Sequence, residues 1–319
     1  MNDRTITTNG VELHVTEAGD GPLVVLAHGF PELGYSWRHQ LEPLAAAGYR
    51  VVAPDQRGYG RSSRPTGVED YDIGHLTDDL IGVLDALGEE RATFVGHDWG
   101  SMVAGHEAVL HPERVTALVN MSVPYLPRGP VAPITAMRNA FGDSFFYILY
   151  FQEPGVADAE LGRDPARTLR RLLAGAQMSG GGAPDPSTFA NDGRGFVERI
   201  PEPSGLPSWL SQAELDHYIE EFTRTGFTGG LNWYRNFDRN WATTEALAGA
   251  KVEVPSLFIG GTLDPVLMMT PPSVAHPALT DHRGDVLVEG AGHWVQQQAP
   301  AAVNAALIRF LDNVHGRTT

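Results

Sequence analysis

The sequence predicts an α/β protein: a mostly parallel sheet of eight strands, covered by helices on both faces, with a helical cap inserted into it. Short apolar runs rich in β-branched residues alternate with helical stretches, which is the pattern of a parallel sheet. The runs are apolar almost without interruption, as strands buried on both faces are. The alternation stops near Pro124 and resumes near Pro255, marking an insertion between the sixth and seventh strands.

In chain order, Asn9–Gly19 alternates in polarity and contains Asn-Gly, so it reads as an antiparallel edge hairpin. Strands follow at Leu23–Ala27, Arg50–Ala53, Ala92–Val95 and Val115–Val119, then beyond the insertion at Ser256–Ile259 and Asp285–Val288. Helices are expected at Trp37–Ala47, Gly74–Leu87, Ser101–His111 and Pro300–Val314. Inside the insertion, Phe145–Phe151, Pro165–Met178 and Ala213–Asn240 read as helical and aromatic, and Trp233 and Trp241 as its core. The Gly- and Pro-rich stretch Ser179–Gly205 reads as a long loop. The expected division is a core of residues 1–124 and 251–319 and a cap of residues 125–250.

Composition narrows the function. The 319 residues are 42% hydrophobic and 19% charged, enough to bury a large core. Acidic residues outnumber basic ones 39 to 23, a net charge of −16, and no Lys/Arg run offsets them. Neither nucleic acid nor an anionic membrane surface is an expected partner. The absence of cysteine excludes a disulfide framework, a thiolate nucleophile and a Cys-ligated metal. The N-terminus lacks a signal-peptide pattern, no apolar run reaches the ~18 residues of a membrane span, and the C-terminus carries no lipidation signal. The expectation is a cytoplasmic monomer or homodimer with no cofactor and no metal. His106, Glu107 and His111 read as helix-surface residues, and Arg57–Arg61 as a structured loop without a phosphate-binding pattern.

The chemistry is carried by Val95-Gly96-His97-Asp98-Trp99-Gly100-Ser101, which follows an expected strand and precedes an expected helix. Glycines two before and two after the central residue permit a tight turn that lifts its side chain above the sheet. This is a nucleophile elbow with aspartate in place of serine. Alone it is weak, because an aspartate at a helix N-cap gives the same pattern. Ala27-His28-Gly29-Phe30-Pro31 stands where this arrangement places half of an oxyanion hole, so the N–H groups of Phe30 and Trp99 are expected to converge. Asp264 and His293 each follow a later strand, in the order nucleophile, acid, base that the α/β-hydrolase fold requires. A carboxylate nucleophile suits displacement at an sp³ carbon, giving an ester that water activated by His293 then hydrolyses. The leaving group is then an epoxide oxygen or a halide.

The sequence closely resembles the soluble epoxide hydrolases. The elbow Gly96-His-Asp-Trp-Gly100, His28-Gly-Phe-Pro-Glu32 with Tyr35-Ser-Trp37, and Asp55-Gln-Arg-Gly-Tyr-Gly60 all match that family. In the cap, Tyr147-Ile-Leu-Tyr-Phe-Gln-Glu-Pro-Gly155 and Leu231-Asn-Trp-Tyr-Arg-Asn236 match as well, so the likeness runs from about residue 8 to 313. It implies a hydrolase acting on ether bonds, with a role in detoxification, that turns a small apolar epoxide and water into a vicinal diol. It further implies that Tyr147 and Tyr234 protonate the epoxide oxygen, with Tyr150 a neighbouring candidate, and that Pro31, Trp99, Met102, Phe145, Val266 and Trp294 line the pocket. The extra N-terminal domain of the mammalian members is not expected in this chain. Haloalkane dehalogenases share the aspartate and Trp99 but often place a halide-binding Asn where Phe30 stands. Fluoroacetate dehalogenases use arginines after the aspartate, where this chain has Trp99 and Met102. A non-catalytic ligand receptor on the same fold is the third reading, and such receptors usually lose catalytic residues that are all present here.

Overall fold

Asn9 and Gly10 both have positive φ, 46° and 75°, as a two-residue turn compatible with strand twist requires. They join β1 (Asn2–Thr8) to β2 (Val11–Ala18), so the first arm of the hairpin lies upstream of Asn-Gly, outside the expected Asn9–Gly19. The computed structural model of the protein describes residues 1–175 and 186–317. The remaining strands are β3 (Leu23–Ala27), β4 (Arg50–Pro54), β5 (Ala92–His97), β6 (Val115–Met121), β7 (Val252–Gly261) and β8 (Leu279–Val288). They form one eight-stranded sheet in the order β1-β2-β4-β3-β5-β6-β7-β8, with β3 to β8 mutually parallel and β2 antiparallel to both of its neighbours, β1 and β4.

The helices are α1 (Arg38–Ala46), α2 (Ile73–Leu87) and α3 (Trp99–Leu110) between core strands. Between β6 and β7 come α4 (Pro133–Phe141), α5 (Tyr147–Tyr150), α6 (Val156–Arg163), α7 (Pro165–Arg170), α8 (Phe196–Arg199), α9 (Gln212–Thr225), α10 (Thr228–Arg235) and α11 (Phe237–Thr243). α12 (Pro265–Met269), α13 (Val295–Gln298) and α14 (Pro300–Val314) complete the chain.

Period-two alternation divides each central strand between two cores. Leu23, Val25, Ala27, Phe94 and Leu118 face α2, α3 and the inserted helices, whereas Val24, Leu26, Val95, Ala117 and Val119 face α1 and α14. Both faces are therefore apolar, which is why these strands read as unbroken hydrophobic runs. The inserted helices join the first core through Phe151, Tyr218, Phe222, Trp233 and Tyr234. Polar bonds join them to the core as well: the Trp233 indole donates to the Arg57 carbonyl at 3.2 Å, and Asn240 accepts from the Ile73 N–H at 2.8 Å.

Four expectations need correction. Asp285–Val288 is not buried on both faces, because β8 is an edge strand whose exposure alternates and which begins at Leu279 with a polar stretch. Glu107 is not on a helix surface but fully buried, and burial holds its carboxyl well above the usual range. Trp241 is only partly buried, capped by the Arg128 guanidinium 4.1 Å above its ring. The stretch Ser179–Gly205 carries a short helical turn at Pro186–Phe189 and α8; residues 179–185, and the end of the expected Pro165–Met178 helix beyond residue 175, lie outside the described residues. Among the described residues, no helix is long and apolar enough to cross a membrane.

Candidate active site

The turn from β5 to α3 places Asp98 at φ 52° and ψ −118°, a conformation that costs a non-glycine residue roughly 1–3 kcal/mol. Two glycines permit it. A Cβ on Gly96 would overlap the Gly100 carbonyl, and one on Gly100 would overlap the Ala27 carbonyl, so α3 could not approach β3 and β5 this closely. The turn points the Asp98 carboxylate across the C-terminal ends of the strands. There its Oδ1 accepts the Phe30 N–H at 2.9 Å. The Trp99 N–H stands at the first position of α3, where no intrahelical acceptor exists.

Strands β7 and β8 end in the loops that bring Asp264 and His293 to the same place. Asp264 caps α12, accepting the Val266 N–H at 2.9 Å, which fixes the carboxylate. His293 Nδ1 lies 3.1 Å from each Asp264 oxygen, and Nε2 lies 3.6 Å from Asp98 Oδ2. Burial pulls the His293 pKa down, but the carboxylates of Asp264 and Asp98 outweigh it and hold the pKa well above the usual value. His293 thus lies between the side chains of Asp264 and Asp98, one at each ring nitrogen.

Beneath it lies a network that sequence reasoning missed. Glu32 is fully buried; its Oε2 meets His97 Nδ1 at 2.6 Å and the Gly29 N–H at 3.1 Å, and its Oε1 accepts from Gln296 and Gln297 at 2.9 Å each. Burial pushes the Glu32 pKa up, yet the adjoining His97 and the Gly29 N–H bring it down to about 2. His97 Nε2 lies 2.8 Å from the His293 carbonyl, which also accepts the Ser122 hydroxyl at 2.7 Å. His97 thus sits between the Glu32 carboxylate and the His293 carbonyl, in contact with one through each ring nitrogen. It ties the Gly29–Phe30 loop to the backbone of His293. Both residues stood in quoted motifs, but 65 residues separate them and neither motif signals the contact.

Tyr147 and Tyr234 meet above Asp98, with ring centroids 6.1 Å apart. Burial and the negative charge of Asp98 raise both phenol pKa values, and Asp264 adds to the effect on Tyr147. Tyr150 instead faces Glu160, whose charge and hydrogen bond act on it alongside burial. Two side chains brace the helices that carry the pair. Gln152 Nε2 donates to the Tyr234 carbonyl at 3.0 Å, and Arg235 Nε donates to the Phe151 carbonyl at 3.1 Å.

Around these groups Phe30, Trp99, Phe151 and Tyr234 form edge-to-face contacts at 5.1–5.9 Å. Pro31 is buried behind a cis peptide, Met102 packs on the same core one turn into α3, and Val266 is half-buried beside Asp264. Trp294 lies 4.8 Å from the His293 ring and donates to the Leu172 carbonyl. Phe145 is the exception among the expected lining residues. Its ring packs against Tyr150 and lies under the Arg199 guanidinium at 3.8 Å, turned away from the cluster because Phe146 takes the inward place.

A family model described as the alpha/beta hydrolase fold matches residues 22–300. Epoxide hydrolase A of Mycobacterium tuberculosis is 58% identical over 317 residues, spanning 99% of this chain and 98% of its own length. The crystal structure of epoxide hydrolase A from Mycobacterium thermoresistibile is similar with a TM-score of 0.93 at 56% identity, covering 97% of this chain and 98% of that one. An epoxide hydrolase from an endophytic Streptomyces gives 0.94 at 45% identity, covering 99% and 96%.

Proposed function

The chain belongs to the epoxide hydrolases of the α/β-hydrolase family, and on that premise we propose that it hydrolyses epoxides in two steps through a covalent ester on Asp98. The observation that carries this reading is the division of labour between the two Asp98 oxygens. Oδ1 rests on the Phe30 N–H, whereas Oδ2 faces open toward His293. In the first step Oδ2 attacks an epoxide carbon and the C–O bond breaks. Its electron pair stays on the epoxide oxygen, which takes a proton from Tyr147 or Tyr234. In the second step His293 removes a proton from water, and the resulting hydroxide adds to the Asp98 carbonyl carbon. The negative charge on Oδ1 is held by the N–H groups of Phe30 and Trp99. Esterification lets the resting imidazolium give its proton to the tyrosinate, which restores the tyrosine. Collapse of the adduct releases the diol, which takes its last proton from His293, and the proton left on the Asp98 carboxyl returns to His293. Residues 125–250 act as the cap that carries the acids. Pro31, Trp99, Met102, Val266 and Trp294 form apolar walls around a small epoxide, and this geometry argues against a place for Phe145 among them.

The high pKa of His293 has a role in this sequence. Asp264 and, less strongly, Asp98 both raise the pKa of the imidazole in the resting enzyme, and esterification removes the Asp98 contribution. The pKa then falls, which favours the free base that the second step needs. The sign follows directly. Lowering the pH protonates His293 in the ester intermediate and slows its hydrolysis, while ester formation, which needs no free imidazole, continues. Rapid-quench mass measurements across pH are expected to show the ester accumulating on the acid side. Equal ester occupancy at every pH contradicts the scheme.

Incubation with an aryl epoxide and, separately, a bromoalkane, quantifying diol and bromide, tests the substrate class. Diol from the epoxide is the expected result. Bromide without diol overturns the reading.

A further inference from the structure

We propose that His276, His282 and Asp285 form a binding site for one divalent transition-metal ion of the Zn²⁺ or Ni²⁺ type, on edge strand β8. In a regular strand, residues three apart point to opposite faces. Here His282 pairs with Ser256 and Asp285 with Phe258, so three steps along β8 oppose two along β7. This bulge, at Arg283 and Gly284 with the glycine at φ 121°, returns His282 and Asp285 to one face. The helical turn His276–Ala278 just before β8 brings the third side chain over them, its imidazole 4.6 Å from that of His282.

The donor atoms converge. His276 Nε2 lies 3.0 and 3.4 Å from the two Asp285 oxygens, and His282 Nε2 lies 2.9 Å from Oδ1. One ligand atom from each residue fits within a span of 4.8 Å. Ligand bonds of ~2.0–2.2 Å in a tetrahedral site put donors about 3.3 Å apart, so an ion that replaces the shared protons needs only small side-chain shifts. Two imidazoles and one carboxylate leave a coordination position for water, and this donor set selects borderline transition metals over Mg²⁺ and Ca²⁺. The nearby cation does not compete, because Arg283 is engaged with Asp281 and Asn313. His282 Nδ1 is buried without a hydrogen-bond partner, so the polar function of that ring is directed through Nε2. The site spans the turn before β8 and the middle of that strand, whereas Asp98, Asp264 and His293 stand beyond the C-terminal ends of their strands. The spacing His-x5-His-x2-Asp carries no metal signature in sequence, because the bulge that unites the residues is invisible there.

The test titrates chelator-treated full-length protein with Zn²⁺, Ni²⁺ and Mg²⁺ by calorimetry and by thermal unfolding. One Zn²⁺ or Ni²⁺ per chain is expected to bind and raise Tm, with no effect of Mg²⁺. The double variant His276→Gln/His282→Gln is expected to lose ~100-fold or more in affinity while folding and turning over epoxide as the parent does. His293→Gln is expected to keep the site. Absence of saturable binding to the parent, unchanged binding by the double variant, or loss of binding in His293→Gln each overturns the proposal.

Discussion

Asp98→Ala is expected to lower kcat/KM for an epoxide by ~10⁴–10⁶-fold, the scale of removing a nucleophile from a unit that acts together. The side chain makes the bond on which both proposed steps depend, and no neighbouring group can take its place. Asp264 is committed to His293 and Val266, and Glu32 is enclosed by His97, Gly29, Gln296 and Gln297. The backbone conformation at φ 52° is as strained for alanine as for aspartate, so the fold persists and the loss reports chemistry. Asp98→Glu sharpens the point, since one added methylene moves the carboxylate off the Phe30 N–H and away from the approach line. A misplacement of about 1 Å costs ~10²-fold. Steady-state kinetics with thermal melts on both variants measure this. If Asp98→Ala kept a substantial part of its activity, direct attack by water on the epoxide would be the better scheme.

Tyr147→Phe and Tyr234→Phe are each expected to lower turnover by ~10²-fold, and the double variant by ~10⁴-fold or more, because general acid catalysis supplies factors of this size. The electrostatics explain why phenols suit the task. With Asp98 ionised, burial and that negative charge hold both phenols protonated through the neutral range. As Asp98 becomes an ester its charge passes to the epoxide oxygen, and loss of a phenolic proton is no longer opposed by the carboxylate. Both side chains lie among aromatic rings, so phenylalanine fits without a cavity. Single-turnover experiments separate the steps. The loss should fall on ester formation and leave ester hydrolysis nearly unchanged. Normal ester formation in the double variant contradicts the assignment of the acids.

The core of the fold was legible because its central strands are buried on both faces and its helices lie between them. The boundaries of β3 and α14 coincide with the expected ones. β8 was misjudged for the opposite reason. An edge strand with one neighbour needs apolar residues on only one face, so Thr280–Arg283 carried no strand signal. Glu107 was misplaced because a buried carboxyl cannot be told from a surface one by residue type. That Asp98, Asp264 and His293 meet follows from topology, since loops at the C-terminal ends of neighbouring parallel strands converge. The contacts of Glu32 with His97 and of Gln152 with Tyr234 link distant segments through side-chain bonds, with no periodicity to announce them. Phe145 and Phe146 are adjacent in sequence, and only the start of α5 decides which ring faces inward.

The central claim, a covalent ester on Asp98, is tested most directly by the intact mass of His293→Gln after reaction with an epoxide. Without the base the second step stalls, while Asp98, the Phe30 N–H and the tyrosine pair still support the first. The predicted result is a mass increase equal to the whole epoxide, because ring opening adds the substrate without loss of a fragment, located by peptide mapping on the segment containing Asp98. An unmodified protein that still releases diol slowly would contradict the account.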